Sequence, residues 1–464
     1  MNSEQKPRGY NWYTVTEDDL KYAPPYLRDV PETPKEVECK LAGTWPTWLH
    51  GSFLRVGVGR FTVPLSDDDS KPKAVFSIFL TPRRGMHLPQ DKNPYSRGTQ
   101  SANPATEEIL VHSDWNIMQI CDARTLEPKR LLTYAQIDPE LAGYGSCAHP
   151  PHDHVAANPA ALVWKSPLPC KPCYTHALAM TDKYVVFVRN PVHMDTSDTT
   201  KPLCDMMICE HDSPTQFFIL DKTDGKHVGT YQSKNFYFFH TVNAYDYVDP
   251  TTGGVNIHVD IISYKDDHYP YSEYSIGNIL DPLKPFQNGT LVRYQMDSVD
   301  RADLGKVGRV SIASAIAGLP CELPRISKPA SMDSSYRYVY GVSGNGVPAP
   351  GTEVPIGRLG NGLKVVHSSF YGYLFKSDWQ TGTFKLWKPQ NGESCPSEPI
   401  FIQRPGATDE DDGIVISIMI NREGTHSILI GLDGKTFEEV ARADMPQVYA
   451  LGPHGSFVEG DFGL

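Results

Sequence analysis

Apolar positions along the chain come in short runs broken by glycine and proline, and the runs are rich in β-branched and aromatic residues. Tyr184–Val188 reads YVVFV, Phe217–Leu220 reads FFIL, Val255–Tyr264 reads VNIHVDIISY and Tyr336–Val342 reads YRYVYGV, with further runs at Ile414–Ile420 and Ser427–Leu432. Several end on turn signals: Thr-Asp-Gly at 223–225, Thr-Gly at 381–382, Leu-Asp-Gly at 432–434. This pattern predicts strands joined by tight turns. No long amphipathic helical pattern competes with it. Many short strands at regular spacing predict an all-β sandwich, barrel or propeller. A length of 464 residues favours the propeller, whose blades bury their faces against each other. No shift in composition marks a linker, so residues 1–464 read as one domain, with 1–34 as a polar extension.

Charge narrows the partners. A formal net charge of -12, with no Lys/Arg-rich block, repels nucleic acid and an anionic membrane surface. The N-terminal stretch MNSEQKPRGYNWYTVTEDDL is polar and lacks the apolar core of a signal peptide. The longest apolar runs, such as GIVISIMI at 413–420, have strand length and fall short of the roughly 20 residues of a membrane span. A cytoplasmic protein without a transmembrane segment is the expectation. Nine cysteines are scattered along the chain, which does not look like a disulfide framework. Cys170-Lys-Pro-Cys173 has redox or zinc spacing, with Cys204 and Cys209 as its only candidate zinc partners. No flanking βαβ pattern supports it, so reduced structural thiols are the simpler reading. The acidic runs Asp67–Asp69 and Asp409–Asp412 read as solvated turns, and the Asn288-Gly-Thr290 sequon has no meaning in a cytoplasmic protein.

Four of the 16 histidines stand in contexts that suggest chemistry: His149 in CAHPPHDH, His176 in CYTHAL, His240 in FHTVNAYD and His454 in GPHGSF. Imidazole suits zinc, copper, iron and nickel. Ligands from distant points must converge in space, and a propeller does this when several blades each send one inner strand to the axis. Spacing alone leaves other readings open. A single histidine is more often a hydrogen-bonded core or surface residue, and His149, His152 and His154 could form a local cluster of their own.

Read in order, these blocks resemble the carotenoid cleavage oxygenase family, which includes the retinal pigment epithelium isomerase and the stilbene dioxygenases. WLHGSFLRVGVG at 48–59 is similar to the family's opening motif. AHP at 148–150, YTHA at 174–177 and FHTVNAYD at 239–246 resemble its first three ligand motifs. CELPRI at 321–326 and PSEPIFI at 396–402 resemble the motifs around the ligands, and DEDDGIVIS, EEVARADMP and GPHGSF between 409 and 457 resemble its C-terminal signature. The resemblance spans about residues 35–460 and is closest in wording to fungal enzymes that cleave torulene or β-carotene-type substrates.

The resemblance implies a seven-bladed β-propeller with a loop and helix cap over an apolar tunnel. It implies Fe(2+) held by His149, His176, His240 and His454. Asp114, Glu322 and Glu398 would then orient the ligand rings and offset the metal's charge; Asp114 stands where the family usually has the longer Glu. The reaction implied is dioxygenase chemistry. O₂ adds across one C=C bond of a carotenoid or apocarotenoid and leaves two carbonyl products, with no acid–base residue beyond the metal site. An apolar polyene implies an apolar entrance able to dip into a membrane surface without spanning it. Two family segments are absent. No FDG-and-histidine block follows Lys71–Leu80, where a Pro/Ser/Asn-rich stretch at 91–107 stands instead, and only 176 − 149 = 27 residues separate His149 from His176. Val58 also replaces a usual proline. Incomplete blades are therefore expected. Two other readings stay open, cleavage of a stilbene-type phenolic and an inactive propeller that binds an apolar ligand.

Overall fold

The computed structural model describes residues 30–31, 33, 37–56, 62–63, 73–74, 81–84, 108–112, 117–122, 125–142, 147–149, 163–195, 197, 206–264, 289–344, 356–358, 364–366, 372–393, 396–449 and 452–459. Strands dominate them. The helices among the described residues are one α-turn, Tyr134–Ile137, and short 3-10 turns. The all-β expectation is borne out: VNIHVDIISY forms the strand Val255–Tyr264, YVVFV lies within Tyr184–Arg189, and GIVISIMI forms Gly413–Ile420.

The sheets follow one another along the chain, as propeller blades do. Thr81–Arg84, Glu108–His112, Ile117–Asp122 and Pro128–Thr133 make an antiparallel meander. Ala179–Met180, Tyr184–Arg189, Thr215–Asp221 and His227–Ser233 make the next, edged by Val307–Arg309 running parallel to His227–Ser233. A seven-stranded sheet then runs from Tyr237–Val248 through Val255–Tyr264, Gly289–Met296 and Ser311–Arg325 to Tyr338–Ser343, Tyr373–Asp378 and Thr383–Trp387. Its strand Ser311–Arg325 joins two blades: it pairs with Gly289–Met296 over most of its length and with Tyr338–Ser343 at Glu322 and Arg325. Ile400–Gln403, Gly413–Ile420, Ser427–Asp433 and Glu439–Asp444 form the last meander, and Lys40–Gly43 adds to its edge. A second closure pairs Gly51–Val56 with His454–Glu459. Both ends of the chain thus seal the ring, which covers strand edges that would otherwise be open.

Blade stacking buries both faces of Tyr184–Arg189 and Thr215–Asp221, which is why YVVFV and FFIL read as continuous apolar runs. Val186, Phe217 and Tyr231 pack against Phe238, Ile257, Ile261 and Tyr294 of the following blade. Phe236 stacks on Tyr294 with ring centroids 4.6 Å apart. Truncating a fully buried residue such as Phe217 to alanine would cost roughly 3–5 kcal/mol.

The acidic run Asp409–Asp412 differs from the solvated turn expected of it. Glu410 accepts the backbone N–H groups of Arg337 at 2.8 Å and Tyr338 at 2.9 Å, and Asp411 pairs with buried Lys376 at 2.6 Å. The turn ties two blades together because amides at the start of the strand Tyr338–Ser343 need acceptors. Asp67–Asp69, Asn288, Cys204, Asp114, His152, His154 and the stretch 91–107 lie outside the described residues. The described cysteines, including Cys170 and Cys173, are unbridged.

Candidate metal centre

Three local devices set the four histidines. The His149 amide donates to the carbonyl of His176 at 3.0 Å, and the Leu178 amide donates to the carbonyl of His149 at 3.4 Å. This bridge, between His149 and Ala177, fixes two of the rings relative to each other. His240 lies in Tyr237–Val248, where the register with Val255–Tyr264 slips between Phe238 and Thr241 and again between Thr241 and Asn243. Such irregularities re-aim side chains, and they recur beside active sites. His454 starts the closing strand, opposite Val56.

The four rings converge. One ligand atom from each of His149, His176, His240 and His454 lies within 4.8 Å of the others. Ring centroids are 4.7 Å apart for His149–His176, 4.7 Å for His149–His240, 4.3 Å for His149–His454 and 5.1 Å for His240–His454. Three of the rings have an Nδ1 partner. His240 Nδ1 is 2.5 Å from Glu322 Oε2, His454 Nδ1 is 3.2 Å from Glu398 Oε1, and His176 Nδ1 is 3.0 Å from the Tyr174 hydroxyl. A carboxylate only accepts, so His240 and His454 carry their proton on Nδ1 and leave Nε2 with a lone pair. The Nε2 atoms of His149 and His240 are buried and make no hydrogen bond among the described residues.

Glu322 and Glu398 are themselves fixed from several sides. The Tyr264 hydroxyl donates to Glu322 Oε1 at 2.7 Å and the Leu323 amide donates to Oε2 at 2.8 Å. Leu323 has φ 49°, a left-handed conformation that costs a branched residue on the order of 1–2 kcal/mol. The register irregularity between Glu322 and Arg325 and this strained residue together turn Glu322 inward. Glu398 lies in the loop before Ile400–Gln403. Arg325 donates to its Oε2 at 2.9 Å, and so does the Gly455 amide at 3.0 Å.

Burial alone would push both carboxyls up. Arg325, His454 and Arg55 instead hold Glu398 well below the usual carboxylate range. His240, the Leu323 amide and the Tyr264 hydroxyl bring Glu322 below its ordinary value. Burial pulls the His454 imidazole down to about 4, with Glu398 opposing. Burial and the neighbouring rings hold His149 well below its ordinary value. Burial thus favours the neutral, lone-pair-bearing form of the His149 and His454 rings.

That donor set fits a transition-metal ion. Imidazole–metal bonds of about 2.1 Å put ligand atoms across one ion about 4.2 Å apart, so the outer separation of 4.8 Å asks each ring to move by only a few tenths of an ångström. The orphaned Nε2 atoms of His149 and His240 need such a partner, because buried polar atoms without one are costly. Asp114, the third carboxylate expected near the rings, lies outside the described residues. Sequence reasoning gave no role to Tyr174, Tyr264, Arg55 or Arg325. Tyr174 had a local signal, two residues before His176 and so on the same side of an extended segment, and Arg55 and Arg325 stood inside the motifs WLHGSFLRVGVG and CELPRI without a role of their own.

Comparison with known proteins places the chain in a family. The family model described as retinal pigment epithelial membrane protein matches residues 68–459, most of the chain. A carotenoid dioxygenase of Neurospora crassa is 25% identical over 408 residues, covering 76% of this chain and 62% of that protein. A mitochondrial carotenoid-cleaving dioxygenase of Mustela putorius furo is 24% identical over 555 residues, covering 96% of this chain and 97% of that one. The chain spans only 52% and 62% of the length of two of the curated relatives it matches. Among solved structures, a Pseudomonas brassicacearum lignostilbene dioxygenase superposes with a TM-score of 0.65 at 17% identity, covering 95% of this chain and 98% of that one, which shows the shared propeller fold. Among the described residues no helix is long and apolar enough to cross a membrane. The chain belongs to the retinal pigment epithelial membrane protein family, the carotenoid cleavage oxygenases.

Proposed function

We propose that the chain is an Fe(II)-dependent dioxygenase that cleaves one C=C bond of a carotenoid or apocarotenoid, with His149, His176, His240 and His454 as the iron ligands. The observation that carries this reading is the convergence of four ligand atoms within 4.8 Å, with no carboxylate among them. Four imidazoles leave the full charge of a ferrous ion uncompensated in the first ring of atoms; Glu322 offsets it from behind His240, while Glu398, paired with Arg325, fixes the ring of His454. Ferrous iron, when bound, supplies the activation of O₂, whose two atoms end as the carbonyl oxygens of the two products. The chain's own residues do the rest. Glu322 and Glu398 keep the Nδ1 protons in place, so that the rings present Nε2. The bulged strand Tyr237–Val248 and the closing strand His454–Glu459 fix where two of the rings stand, and a misplacement of about 1 Å at such a site costs on the order of a hundredfold in rate. Apolar Phe239 packs edge-on against the His176 ring, 5.5 Å between centroids, and puts a hydrophobic side chain next to the cluster. Relatives named for carotenoid cleavage support the substrate class.

One observation favours a second reading. The alignment with the Mustela putorius furo protein runs over 555 positions against a chain of 464 residues, so at least 555 − 464 = 91 aligned positions have no counterpart here. A trimmed blade or tunnel wall would leave an iron-binding propeller without turnover. The experiment is to incubate the iron-loaded protein with β-carotene, torulene, an apocarotenal and resveratrol under ¹⁸O₂ and to identify products by mass. Labelled aldehydes from a polyene are expected. Labelled aldehydes from resveratrol alone would move the substrate to the stilbenes. Bound iron with no product from any of the four would overturn the enzymatic reading.

A further inference from the structure

We propose that Arg55 and Arg325 are positioning residues for His454: together they clamp the segment 452–455 and Glu398 so that the fourth ring reaches the metal position, and they make the N-terminal strand Gly51–Val56 part of the metal centre. The inference rests on the metal reading above and extends it to residues to which that reading gives no part.

The geometry is specific. Arg55 stands opposite Gly455 in the pairing of Gly51–Val56 with His454–Glu459. Its guanidinium folds back to donate to the Glu398 carbonyl at 3.0 Å, to the Pro453 carbonyl at 3.2 Å and to the Gly452 carbonyl. Arg325 enters from a different blade and donates to Glu398 Oε2 at 2.9 Å and to the Gly455 carbonyl at 2.5 Å. Backbone carbonyls on both sides of His454 are thus each held by a guanidinium. Glycine is required at 455, because a Cβ there would lie 2.5 Å from Arg55 Cδ and 2.6 Å from the Leu54 carbonyl. Without the empty space at Gly455, the Arg55 side chain would have no path to the turn.

Electrostatics decides between two explanations of this pair. Two guanidinium groups around one carboxylate repel each other and place positive charge behind a site that takes a cation. As an attraction for metal the arrangement has the wrong sign. Its value is therefore geometric. Arginine presents several donors in a fixed planar fork, which a lysine ammonium cannot reproduce although it carries the same charge. The three carbonyls reached by Arg55 need such a fork.

Exchanging arginine for lysine separates geometry from charge. Cobalt(II) is the probe, because its visible d–d bands report ligand arrangement without turnover. The metal-free protein, Arg55→Lys and Arg325→Lys are titrated with cobalt(II), and their folding is checked by circular dichroism. In Arg55→Lys, the Kd is expected to rise about tenfold, as it does when supports of metal ligands are lost, and the d–d bands are expected to change shape. Arg325→Lys, which loses fewer bonds, should show a smaller change in the same direction. If both variants fold and bind cobalt with the Kd and bands of the unaltered protein, the inference is overturned. If Arg55→Lys does not fold, Arg325→Lys decides by the same two readouts. Absence of d–d bands even in the unaltered protein would overturn the metal reading itself, and this inference with it.

Discussion

The His240–Glu322 and His454–Glu398 halves of the centre use the same chemical pair and solve the same problem in opposite ways. Both bury a carboxylate behind an imidazole. Glu322 is held by neutral donors, the Tyr264 hydroxyl and the Leu323 amide, at the cost of a left-handed leucine. Glu398 is held by charge, with Arg325 on its Oε2 and Arg55 on its carbonyl. The Glu322 half therefore delivers an uncompensated negative charge toward the metal position, and the Glu398 half delivers almost none. One half supplies charge and the other supplies placement. A buried carboxylate tolerates either solution, but the two respond differently to the same substitution.

The largest expected effect is the loss of a ring. His240→Ala should abolish stoichiometric iron, because among the described residues no further His, Cys, Asp or Glu joins the four-histidine group; metal analysis of the purified variant checks this, and one iron per chain would refute the assignment. Next comes Glu398→Gln. It leaves Arg325 and Arg55 facing a neutral amide, and breaking a buried pair strands the remaining charge. Because the Arg325 side chain is 34% exposed, the expected loss is about 2–3 kcal/mol in urea unfolding, below the range for a fully buried pair, with metal affinity down about 10–100-fold. Glu322→Gln strands no cation. Its stability loss should be about 1 kcal/mol, while affinity falls about tenfold because the missing charge faces the metal. Equal stability losses in the two glutamine variants would remove the distinction between the halves.

Tyr264→Phe should be milder still. It removes one donor from Glu322, costs about 1 kcal/mol, and should change the cobalt d–d bands less than Glu322→Gln does. The smallest effect is on pH dependence. The folded imidazole of His454 titrates at about 4 against an ordinary 6.5, so the unfolded chain takes up protons first. Stability of the metal-free protein is then full above pH 6.5 and falls as pH drops toward 4, a trend that His149 reinforces. Thermal midpoints across that window test the sign, and a midpoint that rises on acidification would contradict it.

Much of the fold was legible because stretches rich in β-branched and aromatic residues mark the strands; the stretch VNIHVDIISY coincides with the strand Val255–Tyr264 residue for residue. The four histidines were legible as positions through their flanking motifs, although spacing alone left them as four isolated rings. What the sequence hid were contacts between distant points. Arg55 meets Glu398 across 343 residues, and Tyr264 meets Glu322 across 58. No periodicity encodes such pairs, and the bulges that turn His240 and Glu322 inward appear only when strand registers are compared. The acidic turn at 409–412 misled for the same reason: its partners, Arg337, Tyr338 and Lys376, lie in another blade.

The central claim is that four imidazoles share one ion, and X-ray absorption at the iron edge of the loaded protein tests it most directly. The account predicts one iron per chain with multiple-scattering features of about four imidazole nitrogens and no sulfur. A shell dominated by oxygen or thiolate, or one with two imidazoles or fewer, would contradict it.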